Sequence, residues 1–314
     1  MAIWKFEPLM QERIWGGRNL EGFGRFLPAG KKIGESWELV DRAEAQSVVE
    51  GGGKTLGSLW SGPDRKKLFG TRAPDSARFP ILIKLLDAQE KLSLQVHPPK
   101  GKAAILGGEP KTEMWFFLET QPGAEIYAGL KSGIQRGEFE EALKEGTVAE
   151  CFHRLPTEAG LAMFLPSGRV HAIGSGNVIL EIQQNSDTTY RVYDWDRKDD
   201  SGKSRALHVK EALASIQWED HEPAFIQPRG ERMLVCDDFK ITRWWVAAGE
   251  VREVVPDSGT FRYLFVADGK VRVEGGGEEW AKGTARLITA DHPSLILQGL
   301  EESTVVQVEF SPAR

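Results

Sequence analysis

Cysteine is nearly missing from this chain. Cys151 and Cys236 are the only two among 314 residues, and neither has another cysteine nearby. That excludes a disulfide framework and a CxxC metal site, and makes a reducing compartment the expected home. A basic excess is missing too: 40 Lys and Arg stand against 46 Asp and Glu, a formal charge of −6. No nucleic-acid partner is expected, because such binding draws on a positive patch or stripe; local basic groups can still hold a small anion. No run of about 18 apolar residues occurs, so no membrane span is expected. The segment MAIWKFEPLMQERIWGG also lacks the apolar stretch of a secretory signal. The expectation is a cytoplasmic protein, and a monomer is compatible with all of this.

Glycine, by contrast, is plentiful at 34 residues. It punctuates short alternating segments such as AMFLPSGRVHAIGSGNVILEIQQ, FRYLFVADGKVRVEGGGEEW and ARLITADHPSLILQG. Short strands at that spacing point to a mainly β sandwich or barrel rather than a βαβ fold. Asp-Gly in ADGK, between YLFV and VRVE, predicts a tight hairpin, since those residues tolerate positive φ. Helical spacing is limited to Gly137–Phe152 and His208–Ile216, with a shorter helix near Lys102–Leu106. Polar residues and two prolines around Trp218–Arg229 suggest a boundary. The chain then divides into a larger unit, 1–222, with helical excursions, and a smaller all-β unit, 223–314.

The stretch LSLQVHPP sets Leu92, Leu94 and Val96 on one side and Ser93, Gln95 and His97 on the other. Gln-x-His before Pro-Pro is either a plain strand end or a ligand pair. His171 lies in GLAMFLPSGRVH, a strand, a Pro/Gly turn and a second strand. This spacing resembles the second motif of the cupin superfamily, with its usual Asn displaced and Asn177 the nearest candidate. Glu113 heads the strand Met114–Leu118 and is either a solvated strand end or a carboxylate ligand. Two imidazoles, a carboxylate and an amide oxygen suit a borderline divalent ion such as Zn²⁺. An ordinary cupin carries His-x-His and a Glu a few residues on. Here Gln takes the first place, and fifteen residues separate His97 from Glu113.

The whole set resembles the type I mannose-6-phosphate isomerases (phosphomannose isomerases) in their short bacterial form. The likeness runs through RIWGGRNL, GESWELVD, FPILIKLLDAQEKLSLQVHP and KTEMWFFL, and above all through HAIGSGNVILEIQQNSDTTYRVYDWDR. Two features depart from it: HPP stands where short members have His-Pro-Asp, and the last ~90 residues match only in β character. The resemblance implies two cupin-type jelly-roll barrels, with the metal site in the first and none in the second. It implies one Zn²⁺ per chain on Gln95, His97, Glu113 and His171, and active-site polar groups at Lys84, Ser93, Lys111, Glu181, Asp187 and Arg191. The implied reaction interconverts mannose 6-phosphate and fructose 6-phosphate by proton transfer through a cis-enediol.

Within that implied site the residue chemistry suggests roles. Lys111 or Asp187 shuttles the proton, Lys111 with a pKa lowered by an adjacent cation. Arg191 offers a planar fork for phosphate or a sugar diolate. Lys84, a cation inside FPILIKLLD, contacts phosphate or sugar, or else snorkels to a strand edge. Ser93 donates to substrate, and Glu181 bonds sugar hydroxyls or holds Arg191. Trp15, Trp37 and Trp115 read as core before pocket wall. DWDRKDD, Asp194–Asp200, has the look of a metal loop but reads first as a solvated turn carrying the chain out of the site. His153, His208, His221 and His292 read as surface or core. Two competing functions are a non-catalytic sugar-phosphate-binding cupin and another metal-dependent cupin enzyme such as an iron oxygenase. The cations at Lys84, Lys111 and Arg191 disfavour the oxygenase, which needs no anion site.

Overall fold

A computed structural model describes residues 2–198, 202–255 and 257–311. The alternating segments form strands of two face-to-face β units, and the described helices are short. In the first unit a six-stranded sheet runs in the order Ala162–Leu165, Glu113–Thr120, Asn177–Gln184, Ile81–Ala88, Ile33–Leu39, Leu9–Gly17. A five-stranded sheet faces it, ordered Phe152–Pro156, Glu125–Leu130, His171–Ile173, Leu94–Val96, Tyr190–Tyr193. Leu86, Phe117, Met163 and Ile179 from the first sheet and Ile126, Ala128 and Ile173 from the second share the core between them.

The strand Ile81–Ala88 is buried on both faces, which is why it reads as a nearly continuous apolar run. Its inner face meets the opposite sheet. Ile81, Ile83 and Leu85 on the outer face pack with Phe239, Ile241, Tyr263, Val306 and Val308 of the C-terminal unit. Trp60, Phe69 and Phe79 meet Phe261 and Phe310 there in edge-on and tilted ring pairs 5.3–6.4 Å between centroids. The two units therefore share one continuous core.

The C-terminal unit has a six-stranded and a four-stranded sheet, a mainly β architecture of cupin type like the first. Its larger sheet takes in Ile3–Trp4, which pair with Leu287 and Ile288, so the start of the chain is woven into this unit. The ADGK hairpin does not form. Arg262–Asp268 pairs with Ala285–Ile288 and Ser303–Phe310, whereas Lys270–Val273 pairs in the other sheet with Glu279–Ala281 and Leu295–Gly299. Positive φ at Gly269 turns a corner between sheets rather than closing a ladder. The hairpin partner of Lys270–Val273 lies beyond the next glycine cluster.

Helices also differ from their expected limits. The helix expected over Gly137–Phe152 spans Arg136–Glu145 and stops at Gly146, whose left-handed backbone caps it; Phe152 already begins a strand. The helix near Lys102–Leu106 starts two residues earlier and ends three earlier, at Lys100–Ala103, behind Pro99. Val209–Ser215 lies where expected, with His208 at its N-cap position. Leu56–Trp60 and Arg65–Phe69 have no clear helical period because each is only 5 residues long. Among the described residues no helix is long and apolar enough to cross a membrane.

Candidate active site

The five-stranded sheet sets one side of the site. His171 is the direct antiparallel partner of Gln95, and Gln95 is in turn the partner of Arg191. Gln95 therefore sits between an imidazole and a guanidinium in one row across three strands. His97 follows two residues on, just past the end of Leu94–Val96. Gly168 makes the turn before His171 with φ +97°, and its N–H donates to the His97 carbonyl at 2.8 Å. A side chain there would be strained and would strike Gln217. This turn carries the chain from the strand Ala162–Leu165 in one sheet to His171 in the other.

Glu113 comes from the opposing sheet. Its carboxylate lies 3.5 Å from His97 Nε2 and 3.3 Å from His171 Nε2, and all three side chains are at least 99% buried. One ligand-type atom from each falls within 4.8 Å of the others. The Nδ1 atoms are occupied, His97 by the Thr188 carbonyl at 2.8 Å and His171 by the Arg169 carbonyl at 2.9 Å. These contacts fix both rings with Nε2 facing the carboxylate, as metal-binding histidines require. His97 Nε2 and both Glu113 oxygens make no hydrogen bond despite their burial. Lys111 Nζ lies 2.8 Å from Glu113 Oε2, an ion pair whose alignment is not that of a hydrogen bond. Orphaned buried polar atoms are costly, and this converging set of nitrogen and oxygen donors fits a divalent cation. Burial, then the neighbouring Lys111 charge, pushes His97 down to about 3, and burial also lowers His171; both are neutral imidazoles, the form that binds metal.

Beside this cluster opens a cavity of about 320 Å³, enough for a small ligand. Gln95, Ser93, Lys84, Lys111, Glu181, Asp187 and Arg191 line it, so among the expected residues only His97, Glu113 and His171 lie behind its wall. Ser93 Oγ donates to the Gln95 side-chain oxygen Oε1 at 3.3 Å. Trp115, Glu181, Lys84 and Trp37 are successive cross-strand partners on the inner face of the six-stranded sheet. That row explains the cation in FPILIKLLD: Lys84 is 3.6 Å from Glu181, 3.8 Å from Glu35 and 4.9 Å from the Trp37 ring centre. It is in a central strand and does not snorkel to an edge.

Several expectations are corrected by these contacts. Glu181 does not hold Arg191, which belongs to the facing sheet; it holds Lys84 and accepts from Trp115 Nε1 at 3.0 Å. For Lys111 without a metal beside it, burial acts to lower the ammonium's pKa, but the carboxylates of Glu113 and Glu181 outweigh burial and raise it; the lowering expected from an adjacent cation is a separate effect. Asp194 is no solvated residue: it is 95% buried and pairs with Arg197 and Arg205, while Asp199 and Asp200 of the same stretch lie outside the described residues. Asn177 is buried in backbone support, accepting from Thr157 and donating to the Glu125 and Gly174 carbonyls, away from the ligand cluster. Trp15, Trp37 and Trp115 are core residues, and Trp15 and Trp115 also reach the cavity wall.

Arg13, Glu35 and Arg205 line the cavity without having been singled out from the sequence. Glu35 accepts from Arg13 Nε at 3.1 Å and Trp37 Nε1 at 2.6 Å. Burial acts to raise it, but Lys84 and Arg13 overcome that and hold it at about 2. Its signal was alternation: Glu35 and Trp37 share a strand face two residues apart. Gly16 and Gly34 let these strands touch, since a Cβ on Gly16 would lie 2.3 Å from the Gly34 nitrogen.

Comparison with known proteins follows the same lines. Residues 3–116 match the family described as phosphomannose isomerase type I, catalytic domain. The chain is 43% identical to mannose-6-phosphate isomerase ManA of Bacillus subtilis (strain 168), over 76% of its own length and 78% of that protein's. It is 36% identical to the mannose-6-phosphate isomerase of Streptococcus mutans serotype c, covering 87% of each. Among solved structures, the mannose 6-phosphate isomerase from Bacillus subtilis aligns with TM-score 0.85 and 28% identity, over 98% of this chain and 99% of that one.

Proposed function

The chain belongs to the type I phosphomannose isomerases, enzymes of mannose 6-phosphate, and we propose that it interconverts mannose 6-phosphate and fructose 6-phosphate with one Zn²⁺ per chain, through a cis-enediol. The observation that carries the metal assignment is the convergence of His97, Glu113 and His171 with His97 Nε2 and both carboxylate oxygens left without hydrogen bonds. Gln95 completes the set: its amide nitrogen lies 3.2 Å from His171 Nε2, and a half-turn of the amide exchanges nitrogen for carbonyl oxygen. When bound, Zn²⁺ supplies Lewis-acid polarisation of the sugar oxygens.

The chain's own residues supply the rest. Ser93 and Glu181 bond the sugar hydroxyls from opposite walls. Lys84 adds positive charge where the carbonyl and enediol oxygens gain negative charge, which lowers the barrier to removing the proton beside the carbonyl, and the planar fork of Arg191 holds the anionic end of the sugar. Lys111 or Asp187 takes that proton from C2 and returns it to C1, a contribution of about 10²–10⁴-fold. The burial of Trp15 and Trp115 at the wall keeps water from the intermediate. We place this chemistry in 1–222 and none of it in 223–314, whose site-facing role is to pack the back of the six-stranded sheet.

The test is isomerisation in deuterated water. Fructose 6-phosphate should yield mannose 6-phosphate carrying solvent deuterium at C2, with loss of turnover in chelator and recovery with Zn²⁺. Lys111→Met and Asp187→Asn separate the two shuttles, because removing the acting group abolishes deuterium incorporation. Arg191→Ala should keep its metal and lose most turnover. Tight sugar-phosphate binding without turnover would instead establish a non-catalytic binding protein.

A further inference from the structure

Most charges around the cavity are already answered by a neighbour. Arg13 faces Glu35, Lys84 faces Glu35 and Glu181, and Lys111 faces Glu113. Arg191 differs: Asp194 and Asp187 act on it only from beyond ion-pair distance, and its Nε is buried without a hydrogen bond. Its neighbour is another guanidinium, Arg205, which also lines the cavity. A doubly negative group placed at Lys84 would meet two carboxylates. Placed between Arg191 and Arg205 it would meet two forks, the geometry that suits phosphate oxygens.

Arg205 needs a reason to be there, because residues 203–207 belong to no helix or strand. The reason is Asp194. Its Oδ2 accepts from Arg205 Nε at 2.7 Å and its Oδ1 from Arg205 Nη2 at 2.5 Å, a two-point clamp from a carboxylate that is 95% buried. The same carboxylate also accepts from Arg197. Asp194 directly follows the strand Tyr190–Tyr193 that carries Arg191, so one strand end positions both guanidinium groups. The clamp uses two of the five N–H donors of Arg205 and leaves the others for a ligand.

We propose that Arg205 and Arg191 together receive the phosphate of the sugar, with Arg205 a specificity-determining residue and Asp194 the positioning residue that aims it. This rests on the isomerase reading for its substrate. Burial, and next to it the charge of Arg205, holds Arg191 below the usual guanidinium range, consistent with two like charges awaiting an anion.

The experiment uses the zinc-loaded full chain with Arg205→Gln, Asp194→Asn and the double variant. Measured are kcat and KM for mannose 6-phosphate, inhibition by inorganic phosphate, and phosphate binding by calorimetry. Each single substitution should raise KM and the phosphate inhibition constant roughly tenfold or more, the scale of one charged hydrogen-bonded pair, with a smaller fall in kcat. The double variant should be no worse than Arg205→Gln, since Asp194 acts through Arg205. Arg205→Lys, which keeps charge but loses the fork, should fall between and covers the case that Arg205→Gln misfolds. Phosphate inhibition and binding within about twofold of wild type in the Arg205 variants would overturn the proposal. So would an Asp194→Asn protein that loses thermal stability and kcat but keeps phosphate binding. A wild-type protein that binds phosphate through Arg205 without isomerising sugar would sink the isomerase reading and leave this one standing.

Discussion

Gln95 and His171 stand opposite each other across an antiparallel strand pair, their side-chain nitrogens 3.2 Å apart. The pairing means that the ligand-bearing face of one strand is held in register by the other. A one-residue slip would turn Gln95 away from the cavity. Gln95→Ala and His171→Ala should each lower bound zinc after dialysis to well below one per chain and remove activity with it. Elemental analysis of the dialysed protein checks this, and full metal occupancy in Gln95→Ala would remove Gln95 from the ligand set.

Lys84→Met leaves Glu35 and Glu181 buried without the cation between them. Removing one partner of a buried ion pair costs about 3–5 kcal/mol, so the variant should unfold at clearly lower denaturant concentration at neutral pH. The pH dependence adds a sign. Glu35 is depressed from 4.5 to about 2, so its contribution is fully present above pH 4.5 and is lost as pH falls toward 2. That span corresponds to about 3 kcal/mol. Denaturant titrations of Glu35→Gln and wild type should converge across this window; parallel curves would show that Glu35 is not ionised in the fold.

Acid should also act through His97. Its value falls from 6.5 to about 3 because burial opposes the imidazolium, with Lys111 adding to it. The unfolded chain therefore binds a proton that the folded one refuses. Stability from this group is complete above pH 6.5 and declines as pH falls toward 3. Chelator-treated His97→Gln should lose less stability over that interval than chelator-treated wild type, read as the shift in urea midpoint.

Phe79 is fully buried and touches rings from both units, among them Trp60, Phe261 and Phe310. Phe79→Ala should cost about 3–5 kcal/mol through lost burial and the cavity left behind. Because the two units share this core, calorimetry should show one transition moved to lower temperature. Two separated transitions in the wild type would mean that 1–222 and 223–314 unfold independently.

Local pattern carried much of this protein. Alternation in LSLQVHPP determined that Ser93, Gln95 and His97 share a face, and glycine spacing determined a chain of short strands, because side-chain direction along a strand depends only on the neighbouring residues. The turn containing Gly168 was visible for the same reason. Asp-Gly at Asp268–Gly269 shows the limit: positive φ permits a hairpin or a corner between sheets, and pairing partners distant in sequence chose the corner. Only the tertiary structure decided that Glu113 from one sheet meets two histidines from the other, that Glu181 answers Lys84 rather than Arg191, and that Asp194 reaches Arg205 from a buried position. Those contacts arise from sheet stacking and burial, energies summed over residues far apart in the chain, which no local spacing encodes.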